Sequence, residues 1–198
     1  KEENREMEFW IQEEFQRFLE CVADKPISYY AFEMLYWTGI REGELLALTP
    51  ADFNFEKKTL QINKSYQRLE GEDVITDPKT PKRNRTIVMP DFLAIEMEGF
   101  IKSLYGIKMN DRIFTISKSY LHHEMDRGAK AAGVKRIRIH DLRHSHVSLL
   151  INQGYQAAAI ADRVGHETVE ITDRYTHIYP SKQNEMANTL DELWKERK

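Results

Sequence analysis

A single cysteine, Cys21, excludes any internal disulfide framework. It falls inside an amphipathic helical pattern and reads as a packed free thiol suited to a reducing cytoplasm. No apolar run approaches the roughly 20 residues a helix needs to cross a bilayer, and nothing at the start resembles a signal peptide. Glycine and proline are sparse, at 9 and 6 of 198 residues, and no Gly/Ser- or Pro-rich linker divides the chain. One domain with one good core is therefore expected. Internal repeats and low-complexity tracts are also missing. So is an excess of positive charge: 29 Lys and Arg against 32 Asp and Glu leave a formal net charge of −3. A nucleic-acid partner can then be argued only from how the charge is distributed.

That distribution is uneven. The first helical segment and the C-terminal tail are acid-rich. Lys79, Lys82, Arg83 and Arg85 crowd one short stretch with no acid among them. From Arg127 to Arg143 the chain adds Lys130, Lys135, Arg136 and Arg138, with Asp141 opposing them. Either run alone is also what a solvated surface looks like.

Periodicity predicts mostly helix with one small sheet. Ile11, Phe15, Phe18, Leu19 and Val22 follow helical spacing. A second helix is expected from about Ser28 to Trp37, stopping at Gly39, and a third from Arg41 to before Pro50. Between Phe53 and Val88, β-branched and aromatic residues alternate with polar ones. This pattern predicts about three antiparallel strands and an extended hairpin between Gln67 and Thr76 that turns at Gly71. Helices follow from Asp91, read as an N-cap, then over Ser117–Ala132, from His140 to Gly154, around Ala157–Val164, and over Thr172–Tyr175. A tail stripe of Met186, Leu190, Leu193 and Trp194 comes last.

Phosphodiester transfer needs cations on the nonbridging oxygens, an in-line nucleophile, an acid for the leaving oxygen and a base for the nucleophile. Arginine suits the first task because its planar fork donates two hydrogen bonds and keeps its charge. Arg41 follows a glycine break at a helix start, where the helix dipole opposes a cation, and Glu44 lies one turn on, placed to orient it. An ordinary Arg–Glu surface pair has the same signature. His140 and Arg143 stand three residues apart on one helical face, next to the basic run. A buried histidine beside a helix-start arginine is the plainer reading of that pair. His144, His146 and His166 lack the usual zinc-ligand spacing, and no cysteine supports them.

Four blocks then become specific together: TGIREGELLAL, DPKTPKRNRTIVMP, HDLRHSHVSLLINQG and VGHETVEITDRYTHIYP. In order and spacing they resemble the tyrosine recombinase, or phage-integrase, superfamily, over essentially the whole chain from about Phe9. Their wording is similar to that of integrases of conjugative transposons and phages in Gram-positive bacteria. The resemblance implies an α+β, mostly α, catalytic domain over residues 9–180. Residues 1–8 would end a linker from an N-terminal core-binding domain, and 181–198 would form a tail helix that docks on a neighbouring protomer.

It also implies roles. Arg41 and Arg143 would clamp the phosphate, supported by Glu44, and Lys79 would be the general acid. His140 would assist deprotonation of the nucleophile Tyr175, and His166 would donate to a nonbridging oxygen. Lys82, Arg83, Arg85, Arg136 and Arg138 would contact the DNA backbone. A lysine titrating near ~10.4 and a phenol near ~10 both need cationic neighbours to react at neutral pH. Lys82 or Arg83 could stand in for Lys79, and Tyr179 for Tyr175, but the block pattern favours the first of each. The chemistry implied is site-specific recombination through a 3′-phosphotyrosyl link, with no cofactor or metal. The partners implied are duplex DNA, a tetramer of like chains and an accessory directionality factor, with no membrane, in a bacterial cytoplasm. Three rivals remain open on residues alone. One is a nonenzymatic helix-turn-helix module around Ala157–Gly165; the others are a type IB topoisomerase and a phosphodiesterase built on the histidines.

Overall fold

The apolar stripe of the first helix sets the core. In α1 (Gln12–Val22), Phe15, Phe18, Leu19 and Val22 are the buried residues. Phe15 stacks on Tyr36 with ring centroids 3.8 Å apart, and Phe32 meets Phe18 edge-on at 4.7 Å. Tyr36 and Phe32 belong to α2 (Pro26–Thr38), which opens on a proline at its first position and closes at Gly39 in the left-handed region, φ 66°. Proline suits that opening because its missing N–H has no intrahelical partner there. The computed structural model describes residues 8–77 and 84–166, together with Asn188 and Glu192. The expected helix over Thr172–Tyr175 and the tail stripe lie outside the described residues.

After α3 (Glu42–Ala47) and one 3₁₀ turn at Pro50–Asp52, the chain enters its β region. β1 (Phe53–Asn54), β2 (Thr59–Ile62) and β5 (Arg85–Val88) form a three-stranded antiparallel sheet in the order β1-β2-β5. Leu60 faces Ile87 across it, and both are buried. β3 (Ser65–Leu69) and β4 (Glu72–Thr76) pair separately as a hairpin. Glu70 and Gly71 form its two-residue turn with φ of 50° and 86°, the backbone twist a tight hairpin requires. The expected sheet and hairpin are thus both present.

α4 (Asp91–Ser103), α5 (Lys118–Ala132), α6 (Asp141–Asn152) and α7 (Ala157–Val164) complete the described fold. Ser117 caps α5 by accepting the Tyr120 N–H at 3.1 Å. Asp91 corrects the reading of it as a cap: Pro90 holds the N-cap position, and Asp91 in the first turn pairs with Lys58 at 2.8 Å. α1 and α5 approach closely at Gly128, where a Cβ would come within 2.5 Å of Phe18. Trp10 ties the start of the domain to α6, its backbone N–H donating to Ser145 Oγ at 2.9 Å.

Candidate active site

Three chain turns meet at one place: Gly39–Arg41 between α2 and α3, His140–Arg143 at the start of α6, and Val164–His166 at the end of α7. Arg41 holds the N-cap position of α3, and Glu44 accepts its backbone N–H at 2.8 Å. The Arg41 guanidinium donates from Nη1 to Glu44 Oε1 at 3.0 Å and from Nη2 to the Gly165 carbonyl at 3.2 Å. Its side chain stays 29% exposed, so a ligand can reach it.

Arg143 is only 2% exposed. It donates from Nη1 to the Gly39 carbonyl at 2.7 Å and from Nη2 to the Val164 carbonyl. Both arginines therefore lean on consecutive carbonyls at the C-terminal end of α7, where the helix dipole favours cations. The unfavourable dipole at the start of α3 is answered by that second helix.

Gly39 fixes the geometry of this junction. Its φ is one that side chains rarely adopt, and a Cβ there would stand 2.6 Å from His146 Cδ2. That close approach places the Gly39 carbonyl on Arg143.

The histidines gather around the two guanidinium groups. His140 precedes α6 and packs edge-on against His144, with centroids 4.9 Å apart at 87°. His140 is exposed at the surface, yet desolvation of part of its ring and then the Arg143 charge lower its pKa. His166, 9% exposed, is pushed down to about 3, first by burial and then by Arg143 and Arg41. His144 falls to about 4 by burial and the neighbouring His140. Neutral imidazoles beside fixed cations make a site that attracts an anion and can exchange protons with it.

Glu44 is the carboxylate of this cluster. Burial disfavours its charge, but hydrogen bonds from Arg85 and Arg41 outweigh that and hold its pKa below the ordinary value. Arg85 reaches it with Nη1 at 3.1 Å and Nη2 at 2.9 Å. Arg85, expected to face DNA, is 9% exposed, with its guanidinium engaging Glu44 and the Arg163 carbonyl. Arg136 and Arg138 remain surface residues, paired with Asp126 at 2.7 Å and Asp141 at 2.8 Å.

The structure thus brings together Arg41, Glu44, His140, Arg143 and His166. Lys79, Lys82, Arg83, Tyr175 and Tyr179 lie outside the described residues. Sequence reasoning gave Arg163 no site role and weighed His146 only as a zinc ligand. Arg163 donates from Nε to His146 Nε2 at 3.1 Å, from Nη1 to the Val88 carbonyl at 3.0 Å and from Nη2 to that of Trp37 at 3.3 Å. Its own carbonyl accepts from Arg85 Nε at 3.0 Å. Only its place two residues ahead of Gly165 hinted at such a role. Among the described residues, no three His, Cys, Asp or Glu side chains are grouped to hold a metal ion.

Residues 9–182 match the model of the Phage integrase family. The ICEBs1 integrase of Bacillus subtilis (strain 168) is 32% identical over 204 residues, covering 96% of this chain and 55% of its own length. The integrase of Staphylococcus phage L54a is 30% identical over 181 residues, covering 82% of this chain and 51% of its own length. The chain thus spans about half the length of the curated relatives it matches. Among solved structures, the Tn1549 transposon integrase in complex with a circular intermediate DNA shares the fold. Its TM-score is 0.78 at 20% identity, covering 96% of this chain and 67% of that one. The catalytic domain of bacteriophage HP1 integrase does so at a TM-score of 0.64 and 21% identity, covering 93% of this chain and 95% of that one. Matching blocks, the shared fold and the convergence of two arginines with His140 and His166 agree: the chain belongs to the phage integrase family, with the tyrosine recombinase catalytic fold.

Proposed function

We propose that this chain is the catalytic domain of a site-specific DNA recombinase that integrates and excises a mobile element. The observation that carries this reading is the placing of Arg41 and Arg143 on adjacent carbonyls of α7, with His140 and His166 beside them. Two fixed cations answer the charge that builds on a phosphate under attack. His166, kept neutral, donates a hydrogen bond to a nonbridging oxygen. His140, with its lowered pKa, is free to receive the phenolic proton.

In this mechanism the Tyr175 oxygen attacks the scissile phosphorus and the bond to the 5′ oxygen breaks. Lys79 protonates that oxygen, releasing a 5′ hydroxyl and leaving a 3′-phosphotyrosyl link. A 5′ hydroxyl from the partner duplex then attacks the link, the tyrosine leaves and regains its proton, and a phosphodiester is restored. The strands exchange through a Holliday junction in a tetramer, on the bacterial nucleoid, with an accessory factor setting direction. Duplex DNA as partner is supported by the solved DNA complexes of the Tn1549 integrase and XerH recombinase, which share this fold.

An adduct assay tests the reading. Wild type and Tyr175→Phe are incubated, with a chelator present, with labelled nicked duplexes from a randomised pool and resolved on denaturing gels. Slow-migrating label in wild type alone supports tyrosine transesterification. Label in both makes Tyr179 the nucleophile, and a binding shift without any adduct supports a binding module instead.

A further inference from the structure

A cavity of about 310 Å³ lies between α1, α2 and the start of α4 and shares no lining residue with the arginine cluster. Its walls are aromatic: Phe15, Tyr29, Trp37 and Phe92. Glu33 also lines it, 4% exposed, and Glu33 Oε2 has no hydrogen-bond partner among the described residues. Oε2 of Glu96, on α4, is likewise buried without a partner. The cavity is lined by a further acid, Glu20, and by no lysine or arginine.

Glu33 already accepts from Tyr29 and Trp37, which leaves its Oε2 open, and a buried acceptor left unpaired calls for a donor or a cation. Its environment agrees. Burial, and then the charge of Glu96, raise the pKa of Glu33 to about 7. Burial and the charge of Glu33 push the Tyr29 phenol up to about 12.

The chemistry selects among cations. A divalent ion holds its water tightly, and an ammonium is a more strongly hydrated point charge than a guanidinium. A guanidinium is planar and weakly hydrated; it stacks on aromatic rings and donates in its plane to carboxylates. A free amino acid would bring its own carboxylate against Glu20 and Glu33, whereas an arginine within a polypeptide brings none. We propose that this cavity binds an arginine side chain presented by a protein segment, its guanidinium lying among Tyr29, Trp37 and Phe92 and donating to Glu33.

The test is calorimetric, on the whole chain, at a pH above the Glu33 value. N-acetyl-L-argininamide is titrated in parallel with its neutral isostere N-acetyl-L-citrullinamide and with free L-arginine. The expected order is argininamide first, with the other two at least about ten-fold weaker, since only the first pairs a cation with the carboxylates without adding an anion. Glu33→Gln weakens argininamide by a similar factor while melting no lower than the parent, so the loss is not one of folding. Citrullinamide binding as tightly, free arginine binding as tightly, an unchanged Glu33→Gln affinity, or no heat with any probe would each overturn the proposal.

Discussion

Arg41 and Arg85 meet on one buried carboxylate, that of Glu44, from opposite ends of the sequence block that separates them. Arg41 carries the exposed end of this triad and Arg85 its buried end. Arg85 thus helps hold the carboxylate that orients Arg41.

Replacing Arg85 with Met should therefore cost stability on the order of 3 kcal/mol, because Glu44 is left buried with half its partners. Cleavage should fall with it. The salt dependence of DNA binding should not change, because no phosphate contact is lost. Denaturant melts and binding isotherms at several salt concentrations check both halves. A slope shallower by about one would put Arg85 on the DNA after all.

Arg143→Lys keeps the charge but loses the fork that bridges the Gly39 and Val164 carbonyls. We expect DNA cleavage to fall by about 10²–10³-fold with a much smaller loss of DNA binding. Single-turnover adduct formation beside a binding titration measures the two. Equal losses would make Arg143 a structural strut with no part in stabilising the transition state.

The histidines give the chain an acid limit. His144, His146 and His166 have folded pKa values of about 4, 3 and 3, below the ordinary 6.5. As pH falls below 6.5, the unfolded chain takes up protons that the folded chain refuses, so stability is present above that value and lost toward 3. Melting temperature against pH should show this, and His166→Gln should reduce the slope. An imidazole signal of His166 that titrates near 6.5 by NMR would remove the neutral donor from the mechanism.

Glu33 acts in the opposite sense. Its pKa rises from 4.5 to about 7 on folding, so the folded chain holds the proton longer. The stability this gives is full below 4.5 and declines as pH rises through about 7. Glu33→Gln should flatten that decline and stabilise the chain at higher pH by up to about 3 kcal/mol. A parallel shift of the two stability curves would show that Glu33 does not titrate there.

Much of this was legible in residues because the signals are local. The spacing of Phe15, Phe18 and Val22 marks α1, the Glu70-Gly71 turn marks the hairpin, and Arg41, His140, Arg143 and His166 announce themselves by their blocks. The destination of Arg85 was not legible. It shares a basic run with Lys82 and Arg83, and nothing in that run says which cation turns inward to a carboxylate brought near by folding. Arg163 was hidden for the same reason: its partners are the carbonyls of Val88 and Trp37, which carry no side-chain signature. Asp91 has the composition of a cap, but the helix begins at Asp91 itself, and the N-cap position falls to Pro90, which cannot cap by side chain.

Gly39 has a consequence for how this domain can vary. Its backbone sits where other residues are strained, His146 fills the space a side chain would need, and its carbonyl holds Arg143. Loops and surface charges can drift in such a domain without touching the clamp. Position 39 has no such latitude: any substitution would have to move an imidazole and an arginine at once, so the smallest residue in the turn is also among the least replaceable.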